Sequence, residues 1–132
     1  MKLILERMEG DSQMTRSRLT IEGQDFECEV TEPAYRDYEK AFHLCSYMCL
    51  PRGTYRCKVK ATQYGPTSIV VAKCPGHVNA VFGWEPLDDV MVNTLLVDSR
   101  KSLERLNEMG RRALILGEGI TIEVRNELKD FQ

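Results

Sequence analysis

Hydrophobic and polar residues alternate with a period of two along much of this chain, the pattern of half-buried strands. "KLILERM" predicts a first strand and "MTRSRLTIEG" a second, joined across "EGDSQ". Gly23, Gln24 and Asp25 predict a tight turn into a third strand over Phe26 to Thr31, so the N-terminal third reads as a three-stranded antiparallel meander. In that third strand Phe26, Cys28 and Val30 point one way, and Glu27, Glu29 and Thr31 the other. The Thr54 to Thr62 strand repeats the pattern, with Tyr55, Cys57, Val59 and Ala61 toward the core and Arg56, Lys58 and Lys60 outward. Cys28 and Cys57 both stand where a small apolar residue fits.

Between these strands Glu32 to Leu50 does not alternate. Its "AYRDYEKAFHLCSYMC" admits a helical turn or two, with Tyr35, Tyr38, Phe42 and Cys45 at helical spacings, or a long excursion packed by its aromatics. Pro51 restricts Leu50, and Gly53 permits backbone that other residues resist, so "LPRGTY" resets the chain. "QYGPTS" is a turn by composition, and the continuous apolar run "SIVVA" predicts a strand buried on both faces. "CPGHVN" breaks it, and "AVFG" and "VNTLLV" are two further short strands. Ser99 suits the N-cap of a helix through "RKSLERLNEMGRRALIL". Leu103, Leu106, Gly110, Ala113 and Leu114 make one face of it, ending near Gly117, with Gly110 a weak point or a close-packing site. "ITIEVRNE" closes the chain with Ile120, Ile122 and Val124 inward. The fold expected is a single mainly β domain over 1–132, a β-rich α+β arrangement in which a curved or barrel-like mixed sheet carries one long C-terminal helix.

Composition narrows the function classes. A chain of 132 residues, 42% hydrophobic, holds one modest core. A formal net charge of −2 and a pI near 5.7 lack the basic excess that phosphate-backbone binding needs, so nucleic acid is not expected as a partner. Glu6 and Arg7 interrupt the N-terminal apolar run before a secretory or membrane-spanning segment develops, which predicts a cytoplasmic protein with no signal peptide and no membrane insertion. Five cysteines, an odd number without a leader, read as reduced thiols rather than a disulfide framework.

Taken in order, "MKLILERMEGDSQMTRSRLTIEGQDFECEVTEP", "LPRGTYRCKV", "CPGH", "LLVDS" leading into "SLERL", and "ITIEVRNE" resemble a small bacterial and phage family of unknown function whose fold is related to the L,D-transpeptidases. Typical members carry an Ile-His-Pro-Gly-Asn-like strand end and, shortly after, Gly-Cys before an Ile-Leu-Val-Gly-like strand. The resemblance thus implies a site in which histidine favours a cysteine thiolate and backbone N–H groups stabilise the oxyanion. This chain departs from that pattern. Gly83 falls roughly where the histidine would be, Asn93 and Thr94 roughly where Gly-Cys would be, and no His or Cys lies between Val78 and Gln132.

A threonine hydroxyl is a poor nucleophile without a base, so Thr94 reads as a strand residue. Trp84, Glu85, Asp88 and Asp89 remain as the rim of the old cleft, where an indole beside carboxylates suits a sugar face or a cationic peptide, or simply anchors a loop. With Gly83, Asn93 and Thr94 they form the expected binding set. Two rival sites exist. Cys74 and His77 flank a Pro-Gly turn in "KCPGH" and form a candidate Cys–His nucleophile, against a plain strand-end cysteine and a surface histidine. His43, Cys45 and Cys49 cluster in "HLCSYMC" as a candidate zinc ligand set, although His-x-Cys-x3-Cys is not one of the paired-ligand spacings. The function expected is therefore a catalytically degenerate L,D-transpeptidase-like domain, a pseudoenzyme in a bacterial or prophage setting and conceivably carried in a phage particle. It binds an unidentified protein, peptide or glycan and needs no cofactor. A cysteine peptidase or transpeptidase acting on cell-wall peptide through Cys74 and His77, and a zinc-stapled interaction module, are the alternatives.

Overall fold

Eight strands and one helix occupy the described residues. In this computed structural model those residues are 1–34, 49–72, 74, 80–85 and 94–125. The strands are β1 (Lys2–Gly10), β2 (Met14–Ile21), β3 (Glu27–Pro33), β4 (Gly53–Thr62), β5 (Gly65–Val71), β6 (Ala80–Gly83), β7 (Thr94–Val97) and β8 (Ile120–Arg125). The helix, α1, spans Arg100–Ile115.

The strands close into a barrel in the order β1-β2-β3-β7-β6-β5-β4-β8, and β8 pairs with β1 to seal it. The expected meander is present as antiparallel β1–β2 and β2–β3 ladders, with Leu5 opposite Leu19 and Leu19 opposite Cys28. Two pairs are parallel, β1 with β8 and β6 with β7, so the sheet is mixed. Each of the eight described strands therefore has a hydrogen-bonded neighbour on both sides. No helix among the described residues is long and apolar enough to cross a membrane.

Register decides which side chains share the interior. Leu3 lies opposite both Ile21 and Ile122, and Leu5 opposite both Leu19 and Val124. The chain of pairs runs on through Val30 opposite Val97 and Ile69 opposite Val59, so one continuous apolar face lines the barrel. β5 is buried on both faces, as its unbroken apolar run predicts, with Ser68, Ile69, Val70 and Val71 all buried. β4 departs from its prediction at one residue. Tyr55, Cys57 and Val59 are half-buried on the inner side, but Ala61 is exposed. A register shift between Lys60 and Thr62 explains this, because an extra residue in one strand breaks the period of two.

α1 closes one end of the barrel. Its Ser99 cap accepts a hydrogen bond from Ser102 N at 3.1 Å, and the Ser102 hydroxyl donates to Asp98 Oδ1 at 2.8 Å. Asp98 Oδ2 in turn accepts from Glu29 N on β3, so the cap is fastened to the sheet. The C-terminus follows a Schellman pattern: Gly117 N donates to Leu114 O and Glu118 N to Ala113 O, with Gly117 at φ +70°, where a side chain would be strained. Leu103, Leu106, Gly110 and Ala113 are buried in the core, whereas Leu114, expected on the same face, is 57% exposed. Successive residues turn by about 100°, and the +3, +4, +3 stripe that meets the sheet ends at Ala113.

Gly110 is the point of closest approach. A Cβ there would lie 2.8 Å from Ile69 Cγ1 and 2.9 Å from Ile69 Cδ1. Gly110→Ala gains about 1 kcal/mol of helix propensity but overpacks a fully buried isoleucine, at about 1–3 kcal/mol. Crowding wins, and the variant is expected to lose roughly 1 kcal/mol in urea unfolding. A gain in stability would show that Ile69 moves aside.

Candidate functional site

Of the binding residues expected from sequence, Gly83, Trp84, Glu85 and Thr94 are described; Asp88, Asp89 and Asn93 lie outside the described residues. Gly83 and Thr94 sit on neighbouring parallel strands, with Val81 opposite Thr94 and Gly83 opposite Leu96. Both point away from the barrel interior, on the face opposite Phe82 and Leu95. Thr94 is offset from Gly83 by two residues along the strand, about 7 Å. Thr94 is buried, at 9% exposed, as a strand residue.

The space beside Gly83 is taken. A Cβ at this position would lie 2.5 Å from both Cε2 and Cζ of Tyr64, an aromatic carried by the β4–β5 turn. Real Cβ atoms do not approach a ring that closely. The glycine is therefore required by packing, and with Tyr64 in place a histidine cannot occupy this position.

Immediately beyond Gly83 a shallow cleft opens at the helix-capped end. Tyr64, Trp84, Glu85, Arg100, Leu103, Glu104 and Asn107 enclose a cavity of ≈ 350 Å³. α1 supplies four of these from one face, at spacings of 3, 1 and 3. Trp84 is half-buried against the core, and the Arg100 guanidinium carbon lies 5.1 Å from its ring centroid, a cation–π contact. Glu85 holds φ at +56°, a left-handed conformation costly for a residue with a side chain. Asn107 Oδ1 is shielded from water and accepts no hydrogen bond among the described residues. Glu85 and Glu104 make no ion pair among the described residues, although Glu108, one turn further along, pairs with both Arg111 and Arg112. Those two guanidinium groups hold the exposed Glu108 carboxyl down to about 2, the Arg111 hydrogen bond contributing most.

The opposite end of the barrel carries a second polar cluster, one the sequence reading missed. The Arg7 and Glu32 side chains are 0% and 1% exposed and form an ion pair. Arg7 Nη2 donates to Glu32 Oε1 and Oε2, each at 3.0 Å, and to Leu50 O at 2.8 Å. Leu50 N donates to Glu32 Oε2 at 2.9 Å. The pair thus grips both polar groups of one peptide residue, and Cys49 N donates to Ala34 O at 3.5 Å beside it. Burial pushes the Glu32 carboxyl upward, and the Arg7 charge and the Leu50 N–H pull it back. Thr15 and Ser17 are buried on the same interior face. A period-2 signal for this cluster exists: Arg7 continues the inward series Leu3, Leu5; Thr15 and Ser17 precede Leu19 and Ile21; Glu32 continues Cys28, Val30.

Cys74 and Cys49, the described members of the two rival sites, both stand in the electrostatic reach of this cluster. Cys74 is 3% exposed, and burial pushes its thiol to about 12; a Tyr55 hydrogen bond lowers it, Glu32 raises it and Arg7 lowers it. Burial likewise takes Cys49 to about 12, with Glu32 adding to the rise. Burial thus holds both thiols in the neutral form at physiological pH. Their proposed companions His77, His43 and Cys45 lie outside the described residues. Among the described residues no group of three or more His, Cys, Asp or Glu side chains is arranged to hold a metal ion.

The structure therefore joins Trp84 and Glu85 in one cleft, adds Tyr64, Arg100, Leu103, Glu104 and Asn107 to it, packs Gly83 against Tyr64 beside it, and places Cys74 and Cys49 at the other end of the barrel. Comparison with protein-family models, with curated proteins and with solved structures yields no match to this chain.

Proposed function

We propose that this chain is a catalytically degenerate domain with an L,D-transpeptidase-like fold, acting as a binding or assembly protein in a bacterial or prophage setting. The carrying observation is the packing of Tyr64 against Gly83, which fills the space of the expected general base. The absence of His and Cys after His77, and the burial of Thr94, support the same reading. A mainly β barrel with one C-terminal helix is compatible with the proposed kinship. On this reading the work of the domain is recognition, centred on the cleft around Trp84, and the buried thiols are packing groups.

Thiol reactivity tests the non-enzymatic reading. Brief alkylation with iodoacetamide at pH 6, followed by intact mass and peptide mapping, is expected to leave Cys74 unmodified in the native protein and to label all five cysteines after denaturation. Rapid, selective labelling of native Cys74 would overturn the degenerate reading in favour of a cysteine enzyme. Cell-wall peptides would then be its first substrates to assay.

A further inference from the structure

We infer that the cleft formed by Tyr64, Trp84, Glu85, Glu104 and Asn107 is a binding site for a compact organic cation, the ammonium or guanidinium end of a peptide side chain. This rests on the binding reading above and names the ligand class of that same cleft.

Three features select the charge of the ligand. First, the cleft carries two carboxylates without a salt-bridge partner among the described residues. Glu85 and Glu104 bring carboxylates that no ion pair occupies among the described residues, and the Asn107 amide oxygen is withdrawn from water with no donor facing it. A buried acceptor without a donor is destabilising, and a ligand N–H is the group that removes that cost. Second, the indole already takes a cation: Arg100 lies 5.1 Å above Trp84, so the protein itself displays the chemistry the ring accepts. Arg100 is exposed and carries no ion pair among the described residues. Third, Glu85 is held at φ +56° next to Trp84. Strain of this kind persists where the surrounding structure fixes the backbone, and here it sets the position of Glu85 at the cleft edge.

A neutral sugar fits this arrangement less well, because it brings no charge to the Glu85 and Glu104 carboxylates. An anion would meet two carboxylates. A cation gains from both carboxylates and from the amide oxygen, and it competes with Arg100 for the indole.

Trp84 is the single tryptophan, so its fluorescence reports on the cleft directly. The test titrates the full chain with an end-blocked Gly-Lys-Gly peptide, its norleucine analogue and a neutral disaccharide, in wild type and in Glu104→Gln and Arg100→Gln, two exposed positions. The expected result is a saturable change with the lysyl peptide alone, weakened by added salt. Glu104→Gln should lower affinity about two- to fivefold, and Arg100→Gln should raise it by a similar factor, since it removes a like charge and frees the ring. Binding of the disaccharide or of the norleucine peptide, insensitive to salt, would overturn the cation assignment and leave the binding reading standing. A flat response to every probe would overturn the cleft as a site. Neither result moves the thiol-labelling outcome, which tests the non-enzymatic reading by itself.

Discussion

Arg7→Ala is expected to lower the free energy of unfolding at pH 7 by about 3–5 kcal/mol, the cost of leaving one member of a buried ion pair without its partner. Glu32 is 1% exposed, so its carboxylate is left buried without a counter-charge once the guanidinium is gone. Leu50 O loses its donor at the same time. The deficit should shrink toward pH 5, because an unpaired buried carboxyl takes up a proton rather than remain charged. Removing both charges in an Arg7→Met, Glu32→Leu variant should give a protein no less stable than Arg7→Ala, since no isolated buried charge remains. Urea unfolding of the three proteins at pH 5 and pH 7 measures all of this. A loss below about 1 kcal/mol for Arg7→Ala at pH 7 would mean that the Glu32 charge is solvated in the variant. The local consequence is readable by hydrogen exchange: the Leu50 amide, held by Glu32, should exchange faster when Arg7 no longer fixes that carboxylate.

This pair shows how far the sequence carried. Alternation along the third strand was enough to orient Phe26, Cys28 and Val30 together, and the meander was legible because its turns are short. The same period of two, applied to Leu3 and Leu5, to Ile21 and Leu19, and to Cys28 and Val30, and extended by one or two steps, puts Arg7, Ser17, Thr15 and Glu32 on the apolar side. In an antiparallel meander the end of the first strand, the start of the second and the end of the third lie together, and Arg7 does lie opposite Ser17 and Thr15 opposite Glu32. What spacing could not reveal is the pairing between distant strands. Nothing in "ITIEVR" announces that it lies parallel to the first strand, nor in "TLLV" that it joins β3, so closure of the barrel was expected only as a curved or barrel-like sheet.

The cleft was half legible for a related reason. Gly83, Trp84 and Glu85 are consecutive, and their chemistry drew attention to them. Arg100, Glu104 and Asn107 share a helix face by spacing, but no local rule aims that face at Trp84. Tyr64 belongs to a turn whose only sequence signature is its composition, and its position over Gly83 depends on β5 lying beside β6. The glycine therefore read as a missing histidine, while the structure shows it as a place where any side chain collides. Likewise Leu114 met the helical spacing rule and failed it in space, because a helix crossing a barrel end touches the sheet over only part of its length.

Alkaline pH is expected to destabilise this protein steeply from about pH 9, before its lysines lose their charge. Burial, the first cause in each case, places the thiols of Cys28, Cys49, Cys57 and Cys74 at about 12, against 9.0 for an unperturbed thiol. The folded-state values lie above the unfolded ones, so the native state holds its protons more tightly. Stability from this source is complete below pH 9 and is lost as pH rises toward 12. Each thiol contributes a slope of up to about 1.4 kcal/mol per pH unit in that window, and Cys57, only half-buried, contributes less. Four such groups remove roughly 4 kcal/mol by pH 10, a large part of the 5–15 kcal/mol that holds a domain of this kind together. Unfolding free energies from urea titrations at pH 7, 8, 9 and 10 should stay level to pH 8 and then fall steeply. Cys28→Ala should make the fall shallower by about one thiol's share, whatever it does to stability at pH 7. A level profile through pH 10 would mean that the thiols meet water in the native state, and Cys74 would then regain the access to water that a nucleophile needs.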